Sequence, residues 1–136
     1  MAWEGINAGI RGVGLVSGDI ALSAAQFRFV QMGTAVNGGV VLAATAGQRK
    51  ILGVLQDKAP VVGDPVLVCG GGVTKMEAGI AITKGLPVMS DATGRAITCA
   101  VSASNHVQGY ALEAAAAAGS IFTVFLKYDG PVSNDL

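Results

Sequence analysis

The chain has 136 residues, and its 9 basic and 9 acidic side chains give a formal net charge of zero; that length makes one domain with a real core. The cations are scattered, so no field draws a nucleic acid onto one face, and no apolar run approaches the roughly 18 residues that span a bilayer. Charged residues make up 13% against 51% hydrophobic, with 20 glycines, where a free-standing domain carries about a quarter charged; with net charge near zero, this predicts a surface covered by copies of the chain or by a partner.

Residues 1–19 read as an extended arm. Glycines at 5, 9, 12, 14 and 18 leave no window of helical or strand periodicity and are entropically costly to order. Yet Trp3, Ile6, Ile10, Val13, Leu15 and Val16 are too apolar for a solvated tail. Such a segment orders on a partner or lies along its own barrel; in the first case Trp3, Ile6, Ile10 and Val13 are its candidate contact residues, a large aromatic being the usual anchor. Met1-Ala2-Trp3-Glu4-Gly5 lacks the basic start and apolar block of a secretory signal, which predicts synthesis in the cytoplasm. Gly9–Gly14 has the wrong spacing for a dinucleotide-binding loop, with no strand pattern before it and no helix pattern after.

Strand signals begin at Ser23, with Phe27–Met32 alternating, and Asn37-Gly38 supplies the dipeptide of a tight hairpin before Val40–Ala44. Thr45–Lys50 is a polar loop, followed by strands at Ile51–Gln56 and Val66–Cys69. Gly70-Gly71-Gly72 predicts a second hairpin leading into Val73–Glu77. Ala78–Gly85 has the length of one helical turn, limited by Gly79 and Gly85. Leu86–Ser90 follows, with Pro87 suited to an edge or a first strand position. Asp91-Ala92-Thr93-Gly94 has an acceptor side chain first and glycine last, as a four-residue turn requires. Ala96–Val101, Val107–Glu113 and Ile121–Tyr128 complete about nine short strands, and Gly130–Leu136 is a polar tail. Many short strands with glycine-rich turns give an all-β fold.

One unit occurs twice. Gly53–Val68 laid on Gly109–Leu126, fifty-six residues on, sets Gly53 on Gly109, Ala59 on Ala115, Gly63 on Gly119 and Val68 on Val124, with the acids Asp57 and Glu113 matched. An internal repeat outranks local signals in deciding architecture, and a duplicated strand–turn–strand unit predicts a small β-barrel or β-sandwich. The five alanines 114–118 favour helix but are too few to hold one; with Pro60 in the matching place, they read as a connection with about one turn.

Groups for chemistry are sparse. The single histidine, His106, ends a loop, and no serine lies in GxSxG. Cys69 and Cys99 lack a CxxC neighbour and a histidine at ligand spacing, so neither zinc nor a disulfide is expected, and both read as buried thiols. Asp57 and Glu113 end strands and cap the turns that follow. Lys75 and Lys84 do not sit as carrier lysines do, Arg49-Lys50 is a solvated loop, and strand alternation accounts for Phe27-Arg28-Phe29 better than nucleic-acid stacking does. No catalytic residue, metal or cofactor is predicted, hence no enzyme.

Three segments carry a family resemblance: Gly109-Tyr110-Ala111-Leu112-Glu113-Ala114-Ala115 through Gly119 to Leu126, Val62-Gly63-Asp64-Pro65-Val66, and Leu86-Pro87-Val88-Met89-Ser90-Asp91-Ala92-Thr93-Gly94. Together they resemble the small head-decoration, or capsid cement, proteins of tailed phages, over roughly residues 20–128. The resemblance implies a β-tulip-like or barrel subunit (20–128) between the arm and a tail (129–136). It implies a homotrimer seated on the outer surface of the major capsid protein shell, stabilising the expanded head in the virion. The other reading weighed is a head or tail fibre module that binds host-surface glycans.

Overall fold

The structure is a computed structural model that describes residues 15–18, 20–34, 39–59 and 61–131; Trp3, Ile6, Ile10 and Val13, the turn Asn37-Gly38 and Pro60 lie outside them. The fold is all-β, with no α-helix among the described residues. Among the described residues ten strands form two five-stranded sheets. The first contains β1 (Val16–Ser17), β2 (Phe29–Met32), β3 (Gly39–Leu42), β4 (Gly53–Leu55) and β5 (Val68–Cys69). The second contains β6 (Gly72–Glu77), β7 (Pro87–Ser90), β8 (Ala96–Thr98), β9 (His106–Ala111) and β10 (Ile121–Pro131). Period-two alternation does the local work: in β10 Phe122, Val124 and Leu126 turn inward while Ile121 and Phe125 stay exposed.

The two sheets are the same sheet twice. In the first, β1-β3-β2-β4-β5 lie side by side, and Val16 bridges to Pro65 just before β5, so the sheet curls until its ends meet. In the second the order is β6-β10-β9-β7-β8, closed by a parallel bridge from Ala78 to Ala96. Registers match: Val54 faces Cys69 and Leu55 faces Val68 in one half, while Tyr110 faces Phe125 and Ala111 faces Val124 in the other. Phe29 opposite Val54 becomes Pro87 opposite Tyr110. Even the parallel pairing of Ser17 with Val40 recurs as Ala78 with Ala96.

Hydrogen bonds repeat with the strands. Gln56 N–H donates to Leu67 O and Leu112 N–H to Thr123 O, each at 2.9 Å. Asp64 N–H meets Val61 O and Ser120 N–H meets Ala117 O, each at 3.1 Å. Asp57 accepts Leu67 N–H at 3.2 Å, and in the matching place Glu113 accepts the Thr123 hydroxyl at 2.7 Å. The two acids therefore serve their own hairpins. Gly63 and Gly119 both turn the chain at positive φ, 95° and 86°, a conformation that penalises any side chain.

Each half keeps its own interior. Leu22, Val30, Val40, Leu55, Val66 and Val68 fill the first. The second holds Met76, Val88, Ala111, Phe122, Val124 and Leu126, and the same cluster takes in Phe29, Ala43, Val54 and Cys69 from the first half. The halves thus share a core through one face of the first.

The structure corrects several expectations. Val16–Ser17, inside the stretch read as an arm, form β1, a strand too short to show periodicity and held by Val40 and Asp64 rather than by its own sequence. The Gly70–Gly72 run closes no hairpin: β5 and β6 belong to different sheets, and the glycines carry the chain across. Glycine signals a sharp change of direction without saying which strands will pair. Ile20–Ala24 forms a 3₁₀ turn, whereas Ala78–Gly85 is not helical, because Ala78 and Ile82 are drawn into bridges to Ala96 and Ala115. The alanines 114–118 are a connection with one turn, as expected. β10 continues through Pro131, past the expected start of the tail, with a register shift between Leu126 and Gly130.

Candidate contact surface

Both strand partners of β10 leave one side of the second half apolar and open. Val73 on β6 pairs with Phe125, and Phe125 pairs in turn with Tyr110 on β9. Val73, Phe125, Ile121 and Leu112 are exposed. Val73, Phe125 and Ile121 stand on paired strands, since β10 is flanked on both sides, and Leu112 directly follows β9. An exposed apolar patch on ordered backbone marks an interaction surface. At its margin Phe27, Gln56, Lys75 and Thr123 line a shallow groove with Val73.

Phe27 is held at φ 65°, the one described non-glycine residue in the left-handed region. Its N–H donates to Leu55 O at 2.7 Å, and its own carbonyl accepts Glu77 N–H at 2.9 Å. Both halves grip this peptide, and strain of this kind, about 1–3 kcal/mol, persists only where the surroundings enforce it. Beside it Arg28 spans the halves to Glu77, Nε to Oε2 at 2.7 Å and a second nitrogen to Oε1 at 3.2 Å. The Phe27-Arg28-Phe29 run is therefore a joint, with Phe29 fully buried.

A second open surface lies on the first half. Gln31, Met32, Thr34, Lys50, Ile51 and Leu52 line a groove of about 480 Å³, with Met32 exposed at its rim. Gln48 donates to Gln31 and ties the loop at its back.

Titratable groups cluster at the ends of β9 and β10. His106 Nδ1 lies 2.7 Å from the Tyr128 hydroxyl, with the rings stacked 5.9 Å apart. The Tyr110 hydroxyl donates to Asp129, and that hydrogen bond, with burial and the carboxylate's charge, raises its pKa. Burial pushes the Asp91 carboxyl up, but the Thr93 and Arg95 N–H groups, the Thr93 hydroxyl and the Arg95 guanidinium outweigh it, so the carboxyl sits below its usual range. This makes Asp91 the anchor of the turn the sequence predicted. Cys69 and Cys99 are free and buried, and burial alone raises the Cys99 thiol. Among the described residues no three metal-ligating side chains gather, and no helix is long and apolar enough to cross a membrane.

Of the candidate contact residues, Trp3, Ile6, Ile10 and Val13 lie outside the described residues. The sequence did not single out Phe125, Leu112, Met32 or the groove at Lys50–Leu52. Strand alternation in β10 separates its two faces, but it does not say which face a neighbour covers.

A family model described as phage cement protein matches residues 16–127. The match begins at β1 and ends inside β10, so it spans both halves. No curated protein matches the chain.

Proposed function

Because the chain belongs to the phage cement protein family, whose role is structural and capsid-associated, we propose that it binds the outer surface of a phage head as a homotrimer and stabilises the expanded shell without catalysing a reaction. The observation that carries this reading is the family match across both halves of the fold. The open apolar side of β6, β9 and β10 supports it, because that side offers contact area on ordered backbone. Contacts that exist only in the assembled shell add to the free energy needed to disrupt it, and repetition over a symmetric lattice multiplies modest contacts. In this reading the residues ahead of β1 act as an arm on a neighbouring capsomer, with Trp3, Ile6, Ile10 and Val13 as its anchors, and β1 to β10 build the decoration domain. Assembly follows synthesis in the host cytoplasm.

The test is co-sedimentation of the purified protein with undecorated expanded heads. Saturable binding at fixed stoichiometry is expected, with heads that then resist heat or chelation better. Deleting residues 1–13, which spares β1, lowers head affinity at least about tenfold if the arm carries an aromatic anchor. Binding to host cells or glycans with none to heads refutes the cement reading in favour of a fibre module.

A further inference from the structure

We propose that copies of this chain associate head to tail, the outer face of the second half of one copy seating on the Met32–Leu52 groove of the next, and that this contact repeats the one joining the two halves within each chain. The inference rests on the self-association in the reading above and is independent of what the assembly binds.

The duplication supplies the argument. Inside the chain the first half turns Phe29, Ala43, Val54 and Cys69 toward the second, leaving Val54 0% and Cys69 3% exposed. The loop at 45–49 completes that contact. Gly47 N–H donates to Ser90 O at 2.8 Å, Gly47 O accepts His106 N–H at 2.9 Å, and Gln108 Nε2 donates to Gln48 O at 3.1 Å.

Strand pairing puts Pro87, Tyr110 and Phe125 in the places of Phe29, Val54 and Cys69. Cys99 takes the place of Ala43, since Cys99 N–H bonds Pro87 O as Ala43 N–H bonds Phe29 O. The loop at 101–105 stands where 45–49 stood. On the second half that face is more open: Phe125 is 40% exposed, Pro87 and Tyr110 are partly exposed and Leu112 beside them is exposed, while Cys99 stays buried. The surface that joins the halves is thus present a second time, and among the described residues its part around Phe125 is uncovered.

Its complement is present too. Register carries Ser90, which receives Gly47, onto Met32, because Ser90 faces Ala96 as Met32 faces Val40. His106 and Gln108 fall likewise on Lys50 and Leu52, counted back from Gly109 and Gly53, which occupy one place in the two halves. Met32, Lys50 and Leu52 line the open groove. Among the described residues one chain therefore presents an open plug at one side and an open socket at the other, the two sides of a contact that the chain already makes once. An interface between unlike surfaces of identical chains is heterologous, and it closes into a ring when the rotation permits. A second copy is the fitting occupant, because the counterpart of this socket at Ser90, His106 and Gln108 already holds the counterpart of this plug within the chain.

Light scattering on the full-length protein tests the proposal, with Phe125→Glu altering the plug and Met32→Glu altering the socket. The wild type is expected to be multimeric. Each substitution weakens self-association about a hundredfold if it strikes the centre of the contact, giving monomers. An equimolar mixture of the two variants then forms a heterodimer and nothing larger, since each supplies the surface the other lacks. Circular dichroism verifies folding, and Leu112→Glu and Lys50→Glu replace a variant that misfolds. A monomeric wild type, a variant of wild-type mass, or a mixture that stays monomeric overturns the proposal. A multimer that ignores expanded heads refutes the capsid reading and leaves this one standing.

Discussion

Two glycines offer the sharpest test of the duplication, because their confinement is geometric. A Cβ on Gly53 would strike the carbonyl oxygen of Cys69 and meet Val68 Cγ1 at 2.9 Å. A Cβ on Gly109 would strike the carbonyl oxygen of Phe125, the residue paired like Cys69, and meet Val124 Cγ1 at 3.0 Å. In both cases the obstacle is backbone in a paired ladder and cannot rotate away. Forcing a methyl into such a site costs about 1–3 kcal/mol, while reduced freedom of the unfolded chain returns about 0.4–1 kcal/mol. Alanine at either position should therefore destabilise by roughly 1–2 kcal/mol net. With a urea slope of about 1–3 kcal/mol/M, the midpoint falls by on the order of 0.5–1 M. Gly71→Ala is the control, since nothing lies within 4 Å of its added Cβ and its φ is not in the left-handed region. Urea unfolding followed by circular dichroism reads all three. If Gly53→Ala or Gly109→Ala unfolds at the midpoint of Gly71→Ala, the close approach of these strands is wrong.

Other outcomes follow from side chains at the joint and in the turns. Arg28→Ala leaves Glu77 half-buried without its partner and costs about 1–3 kcal/mol; replacing both with apolar residues recovers much of that in a double-mutant cycle. Asp91 has a carboxyl pKa lower folded than unfolded, so between those values the unfolded chain binds more protons and stability rises with pH. The contribution is complete above the unfolded value, near 3.9, and is lost as pH falls through the folded one. Asp91→Asn should accordingly lower stability at pH 7 and flatten the acid limb of the stability profile in thermal melts. Phe122→Ala, at a position 1% exposed, costs about 3–5 kcal/mol and lowers the urea midpoint of the chain more than either glycine substitution. Cys99 reacts with thiol reagents slowly in the folded protein and fast after denaturation; equal rates would refute its burial.

Much of the architecture was legible because duplication printed it on the chain. Gly53 and Gly109, Gly63 and Gly119, and the acids after β4 and β9 mark equivalent turns and close approaches, which physics restricts to few residue types. The turn at Asp91–Gly94 and Pro87 at the first position of β7 were readable for the same reason. Elements held by partners were not. β1 has two residues and takes its place from Val40 and Pro65, so no local window reveals it. The glycine run at 70–72 announced a bend, but pairing is a property of distant strands. The open surface stayed hidden because Cys69 and Phe125 occupy one structural place, and only the packing of the halves buries the first and leaves the second bare.

Closure of both sheets has a consequence for a chain so poor in charge. Among the described residues β10, at 11 residues the longest strand, is flanked on both sides; of the four strands that end the sheet orders, β1, β5 and β8 have only two or three residues, and β6 has six. A stranger's backbone finds one edge longer than three residues, β6, to zip onto, so the cross-β growth that threatens apolar sequences has a short template here. Crowding this protein at high local concentration should favour stacking by side chains over fibrils.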